Sequence, residues 1–277
     1  MQPIPSAAPP LLRVSKLSVT YSASSGTPAP ALQNIDLEIA PGEINGILGE
    51  SGCGKSTLAL SLLGLLPTES RVDGEILFQQ QNLLGLTERQ LQKIRGARIA
   101  LIHQEPGLAL SPVMRVGDQI YEVLRAHSDL GRADRQREVK TILGKVSLPE
   151  VDRIYNAYPH QLSGGELHRV AIAQALICKP ALVIADESTR SLDLATQAEI
   201  LELLFLLNQE FGTAILFITH NPALLAGFAS RVIVMQNGCV VEQGRVAEIF
   251  RKPVDPFTRE LLSLVPTTEF QSELHRP

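Results

Sequence analysis

The run Gly49-Glu50-Ser51-Gly52-Cys53-Gly54-Lys55-Ser56 constrains this chain more than any other stretch. An apolar segment (Ile44, Ile47, Leu48) enters it, and apolar positions suited to a helix follow Thr57. G-x-x-x-x-G-K-[ST] between a strand and a helix is the pattern of a phosphate-binding loop. Its residue types have a physical reason. Glycines let the backbone approach a phosphate and point its N–H groups inward, because no Cβ intervenes. The helix that follows adds free N–H groups and the positive end of its dipole. Lys55 is placed to reach the β and γ phosphates, Ser56 to give its hydroxyl to Mg²⁺, and Thr57 to support the phosphates. A glycine-rich turn that binds nothing would leave Lys-Ser after Gly-x-Gly without a packing rationale. The motif points to a nucleoside triphosphate. It does not separate a small-molecule kinase, a GTPase, a helicase and a transport ATPase.

Bulk properties narrow the field. A chain of 277 residues can bury a substantial core in one or two domains. A hydrophobic fraction of 44% with 19% charged residues is that of an ordinary globular protein. The net charge of −4 argues against a protein that coats nucleic acid, and the absence of Trp offers no base-stacking platform. No apolar run approaches the roughly 18 residues of a membrane span. The first ten residues, MQPIPSAAPP, lack a signal-peptide pattern and read as a flexible tail. Cys53, Cys178 and Cys239 are widely spaced, forming neither a disulfide framework nor a metal knuckle, which fits a reducing, cytoplasmic setting.

In chain order, residues 12–21 alternate as a strand does, 22–30 form a loop, and 31–39 and 43–48 read as two more strands broken by Pro41-Gly42. With residues 74–78 these give short, mostly antiparallel strands beside the phosphate loop. From 87 to about 158 helical spacing dominates (88–95, 116–126, 133–146), interrupted by a strand at 98–103. From 181 onward the order strand, helix, strand, helix, strand implies parallel βαβ units. Gln236-Asn237-Gly238 signals a hairpin, and 258–264 a short final helix.

Two further groups carry chemistry. The run Ala181 to Glu187 (ALVIADE) delivers two carboxylates to the C-terminal edge of a sheet, where α/β ligands bind. There Asp186 is placed to hold Mg²⁺ through water, and Glu187 to polarise the water that attacks the γ-phosphate. A strand can also simply end in acidic residues; the upstream phosphate loop favours the functional reading. Leu162-Ser163-Gly164-Gly165-Glu166 opens a helix with Ser163 as N-cap and Glu166 completing a capping box. Its two glycines also make it a second anion cradle. One nucleotide does not need two cradles on one side, which hints at a site shared between chains.

In order along the chain, these landmarks resemble the nucleotide-binding subunit of an ABC transporter, over roughly residues 11–250. Tyr21 matches the aromatic that stacks on adenine; Gly49 to Thr57 match the Walker A loop; Gln104 matches the Q-loop glutamine. LSGGE at 162–166 matches the signature motif, ALVIADE the Walker B strand, Ser191-Leu192-Asp193 the D-loop, and His220 the switch histidine. The resemblance implies a P-loop NTPase fold: a RecA-like parallel-sheet core with an antiparallel β subdomain and an α-helical subdomain at about 87–160. Residues 251–277 form a C-terminal extension. It implies that two such subunits meet head to tail around two ATP molecules. Each pocket takes Gly49, Glu50, Ser51, Gly52, Cys53, Gly54, Lys55, Ser56 and Thr57 from one subunit and Ser163, Gly164 and Gly165 from the other. Ser56, Gln104 and Asp186 form the Mg²⁺ set, and Glu187, His220 and Gln104 the catalytic set. Departures from the family pattern are Glu166 for Gln, Ser188 for Pro, Arg190 for a small residue, and Asn221 and Glu105 for Asp. None removes a phosphate, metal or base residue.

Residues 105–119 (EPGLALSPVMRVGDQ) and the late run VEQGRVAEIF…PVDPFTRELLSLVP resemble the peptide/nickel importer subfamily, the di- and oligopeptide permease ATPases. Some members carry a cysteine cluster for an iron–sulfur centre in the tail; no cysteine follows Cys239, so none is expected. The resemblance implies partners: a second ATP-binding subunit, identical or homologous, two transmembrane permease subunits and, indirectly, an extracytoplasmic solute-binding protein, with no nucleic acid. The chain would lie at the cytoplasmic face of the membrane. A non-transport ABC ATPase of the DNA-repair or translation type is the alternative, although no long coiled-coil insert or tandem cassette is present.

Overall fold

The computed structural model describes residues 9–22, 28–187 and 192–263. Ser188, Arg190 and Ser191 lie outside them, as do most of the expected N-terminal tail and the end of the C-terminal extension. The elements run β1 (Leu12–Tyr21), β2 (Ala29–Ile39), β3 (Ile44–Leu48), α1 (Lys55–Leu63), β4 (Arg71–Phe78), β5 (Gln81–Asn82), α2 (Glu88–Gln92), β6 (Ile99–Ile102) and α3 (Pro106–Ala109). They continue with α4 (Val116–His127), α5 (Arg132–Lys145), α6 (Val151–Asn156), α7 (Gly164–Leu176), β7 (Leu182–Asp186), α8 (Leu194–Phe211), β8 (Ala214–Thr219), β9 (Arg231–Gln236), β10 (Cys239–Arg245), α9 (Val246–Arg251) and α10 (Pro256–Ser263).

Two sheets form among the described residues. One has the order β10-β9-β3-β8-β7-β6, parallel from β9 to β6 with β10 antiparallel at the edge. The other, β2-β1-β4-β5, is antiparallel. The strands of the parallel sheet are apolar on both faces, and residue alternation divides them between two cores. Leu182 and Ile184 of β7, with Leu216 and Ile218 of β8, join a core shared with α1 and the antiparallel sheet. Val183 and Ala185, with Ile215 and Phe217, join the opposite core, which continues through α7 and α8 into α4, α5 and α6. Phe217 is fully buried and meets Phe228 edge-on, with ring centroids 5.2 Å apart. Its truncation to Ala would cost about 3–5 kcal/mol.

Three expectations change. Residues 43–48 do not belong with the antiparallel strands: β3 is central in the parallel sheet, hydrogen-bonded to β8 and β9. All five of its residues are buried, as a two-sided strand requires. The strand interrupting the helical stretch, β6, is the edge of that same sheet, paired parallel with β7. The second crossover is not an α-helix. Between β8 and β9 the chain makes only a 3-10 turn at Pro222–Leu224, capped by the Asn221 side chain. Leu225 then packs over Gly46, where a Cβ would come within 2.5 Å of its side chain. That close approach replaces a helical layer there.

Candidate active site

The parallel strands end together at one edge, and each ending delivers a candidate residue. β3 runs into the glycine loop, β6 precedes Gln104, β7 ends at Asp186 and Glu187, and β8 precedes His220. A cleft of about 550 Å³ opens at this edge, lined by Tyr21, Ser51, Gly52, Gly54, Lys55, Ser56, Thr57, Gln104 and Glu187. Ala29 to Ala31 and Asn237-Gly238 complete its wall.

The loop is shaped by its glycines where side chains have no room. Gly54, the N-cap of α1, has φ +107°, and a Cβ there would sit 2.8 Å from the Ala31 carbonyl oxygen. At Gly49 a Cβ would lie 2.4 Å from the Met235 carbonyl oxygen. Lys55 is 4% exposed, and its Nζ donates to the carbonyl oxygens of Gly49 (2.9 Å) and Glu50 (2.8 Å). The ammonium is thereby held across the loop opening, 3.9 Å from Glu187 Oε1. Such a buried, pre-placed cation suits a phosphate group. The Cys53 thiol is buried, and desolvation pushes its pKa up against the nearby Lys55, so it packs as a protonated group.

Glu187 is the meeting point. Gln104 Nε2 donates to its Oε2 at 3.4 Å, and His220 Nδ1 lies 3.3 Å from its Oε1. Its own backbone sits at φ +43°, the left-handed region that an L residue adopts at a cost of about 1–3 kcal/mol. The Glu187 N–H bonded to Ile218 O at 3.0 Å holds that conformation. The neighbouring Asp186 carboxyl has its pKa raised by burial, opposed by a hydrogen bond with the Ser56 side chain and by Lys55. A desolvated carboxylate beside a hydroxyl is an oxygen donor set that fits Mg²⁺. Tyr21 stands at the far end of the cleft, where its hydroxyl donates to Thr57 Oγ1 at 3.1 Å.

The stretch expected to form a second anion cradle lies elsewhere. Ser163 and Gly164 are exposed at the start of α7, outside the residues that line the cleft. The expected capping box is present: Glu166 N–H donates to Ser163 Oγ (3.3 Å), and Ser163 N–H donates to Glu166 Oε2 (2.8 Å). Gly164 faces open space, and a Cβ on Gly165 would lie 3.6 Å from the Thr196 side chain of α8, whose N-cap is Asp193. Within one chain, then, the structure brings together Tyr21, the loop, Gln104, Asp186, Glu187 and His220, and leaves Ser163 to Gly165 apart.

The sequence marks Asn237-Gly238 only as a turn. In the fold this hairpin also braces the loop: Gly238 N–H donates to Cys53 O (3.0 Å), and Gln33 N–H to Gly238 O (2.8 Å). The hairpin signal was visible, but its place at the shared strand edge follows only from β9 lying beside β3.

A parallel sheet ending in a glycine loop, a buried lysine and paired carboxylates defines a P-loop nucleoside triphosphatase. Comparison with known proteins makes this specific. The family model described as ABC transporter matches residues 32–190. A probable peptide ABC transporter ATP-binding protein of Sinorhizobium fredii is 46% identical over 238 residues, 85% of this chain and 71% of that one. The oligopeptide transport ATP-binding protein OppD of Escherichia coli is 41% identical over 263 residues, 95% of this chain and 78% of that one. Among solved structures, the dimeric post-hydrolysis state of the ATP-binding cassette MJ0796, bound to ADP and Pi, superposes with a TM-score of 0.75 at 31% identity, covering 85% of this chain and 98% of that one. The cbiO1 protein of Clostridium perfringens, part of the ABC transporter complex cbiONQ, gives 0.75 at 29% identity, covering 95% of this chain and 99% of that one. The chain belongs to the ABC transporter family, and its fold is that of the family's ATPase cassettes.

Proposed function

We propose that this chain is the ATP-hydrolysing, energy-coupling subunit of an ABC importer for peptides, nickel chelates or related small solutes. The observation that carries the reading is the convergence of Lys55, Gln104 and His220 on Glu187 at the mouth of a cleft floored by the glycine loop. The names of its relatives, peptide and oligopeptide transport ATP-binding proteins, favour that cargo class.

The residues divide the work as follows. Tyr21 stacks on adenine, while the backbone N–H groups of Gly49 to Thr57 and the Lys55 ammonium bind the phosphates. Ser56, Gln104 and Asp186 would hold Mg²⁺, which when bound neutralises charge on the β and γ phosphates. Glu187 orients and polarises the attacking water; His220, within reach of the same carboxylate, positions it against the γ-phosphate. Ser163 to Gly165 face outward, where they meet the nucleotide of a second ATP-binding subunit, identical or homologous. The start of α7 then stabilises γ-phosphate charge in trans. Among the described residues no helix is long and apolar enough to cross a membrane. Translocation therefore falls to two transmembrane permease subunits, supplied by an extracytoplasmic solute-binding protein, with this chain docked at the cytoplasmic face.

The test is ATP turnover by the assembled complex. Glu187→Gln keeps the shape but removes the base, and turnover should fall by about 10²–10⁴-fold with nucleotide binding retained. Unchanged turnover would reject the assignment.

A further inference from the structure

Glu166 stands at the third position of α7, in the first turn of the helix that the proposed function aims at a phosphate. The inference rests on that reading. A carboxylate there opposes an incoming anion, whereas the family's usual Gln would not. The structure shows how this charge is handled. One oxygen, Oε2, accepts from Ser163 N (2.8 Å) and Ser163 Oγ (3.0 Å). The other, Oε1, contacts Arg153 Nη2 of α6. Arg153 also reaches Glu150, with Nε donating to Oε2 at 2.8 Å. Asp152, the next carboxylate on α6, is paired with Lys140 instead.

We propose that Arg153 is a positioning residue of the trans half-site. By holding Oε1, while also pairing with Glu150, it offsets part of the charge of Glu166 and keeps that carboxylate directed toward α6. Ser163 to Gly165 can then receive the γ-phosphate of a nucleotide bound by the facing subunit.

The experiment measures ATP hydrolysis by the assembled transporter against ATP concentration, at low and high salt. It compares wild type with Arg153→Met, Glu166→Gln and the double variant. Arg153→Met should raise KM for ATP about fivefold at low salt and change kcat less, the size expected for one partly exposed pair. The difference should shrink at high salt, because exposed charges are screened. Adding Glu166→Gln should restore KM, since the amide still accepts from Ser163 N–H but carries no charge. Arg153→Lys, which keeps the charge, should stay within about twofold of wild type. If Arg153 merely fastens α6 to α7, its loss will weigh equally in the Glu166→Gln background and ignore salt, and the proposal is overturned. A KM unmoved by Arg153→Met overturns it too. Turnover that survives Glu187→Gln would instead remove the proposed function, and this inference with it.

Discussion

The two glycine-bearing helix starts of this chain, at α1 and at α7, have opposite surroundings. The start of α1 is walled by Ala31, Leu32 and Gly238, carries a buried lysine, and has no acidic residue in its first turn. Its Gly54 cap has a left-handed backbone and offers no side-chain hydrogen bond to the helix. The N–H groups are thereby left to a ligand. The start of α7 is open to solvent, satisfies part of itself through the Ser163–Glu166 box, and carries a carboxylate. On the proposed function the first holds a phosphate unaided, and the second gains a role only when another molecule brings the phosphate to it. The difference teaches that a glycine pair before a helix does not define a site; the charge and burial around it do.

Substitutions can break this contrast. The largest effect is expected from Lys55→Ala, which removes the only donor among the described residues that bridges Gly49 O and Glu50 O. Turnover should fall about 10²–10³-fold. Isothermal titration should show that ATP binding by the separate chain is lost as well. A Lys55→Ala protein that binds ATP at wild-type strength would put the first cradle on a level with the second.

A pair of glycine substitutions sharpens the point. Gly54→Ala forces a Cβ against Ala31 O from a φ of +107°, so thermal unfolding should show about 1–3 kcal/mol of lost stability. Gly164→Ala meets nothing within 4 Å and sits at the exposed first residue of α7, so its melting temperature should stay close to wild type. Yet the added methyl would stand between α7 and a partner's phosphate, and turnover should drop on the order of tenfold or more. Full activity in Gly164→Ala would mean that nothing approaches that face.

The smallest effect concerns pH. The Ser163 N–H, against a smaller opposing cost of burial and with help from Arg153, holds the Glu166 carboxyl below its ordinary value of 4.5. A depressed acid stabilises the fold above that ordinary value, and the contribution is lost as pH falls through the lowered pKa. Thermal unfolding of Glu166→Gln should therefore differ from wild type by well under ~1 kcal/mol near neutrality. The gap should close on acidification below 4.5. A gap that widened in acid would mean that the carboxylate destabilises the helix start.

Much of the site was legible because it is written in local order. Lys55 and Ser56 follow their glycines directly, Asp186 and Glu187 end an apolar run, and Ser163 with Glu166 spells a capping box whose geometry the fold reproduces. Strand identity was harder. Residues 43–48 read as one more strand beside the others, since nothing within six residues says whether neighbours will run parallel or antiparallel. The 3-10 turn after β8 was also hidden, because it depends on Leu225 reaching Gly46 across the sheet. Likewise Asn237-Gly238 announces its turn but not the loop it supports, and Arg153 gives no sign of its partner thirteen residues on.

The sequence by itself determined the chemistry available: a glycine loop, a lysine, two carboxylates at a strand end, a glutamine and a histidine after two others, and a capped second helix. Tertiary structure decided which of these act together. Parallel pairing of β6, β7, β8 and β3 puts their endings on one edge, so Gln104, Glu187, His220 and Lys55 meet although up to 165 residues separate them. The same packing turns Ser163 to Gly165 away from that edge. Periodicity tells a segment which face to bury; only the order of strands, set by long-range burial of both sheet faces, tells it whom to meet.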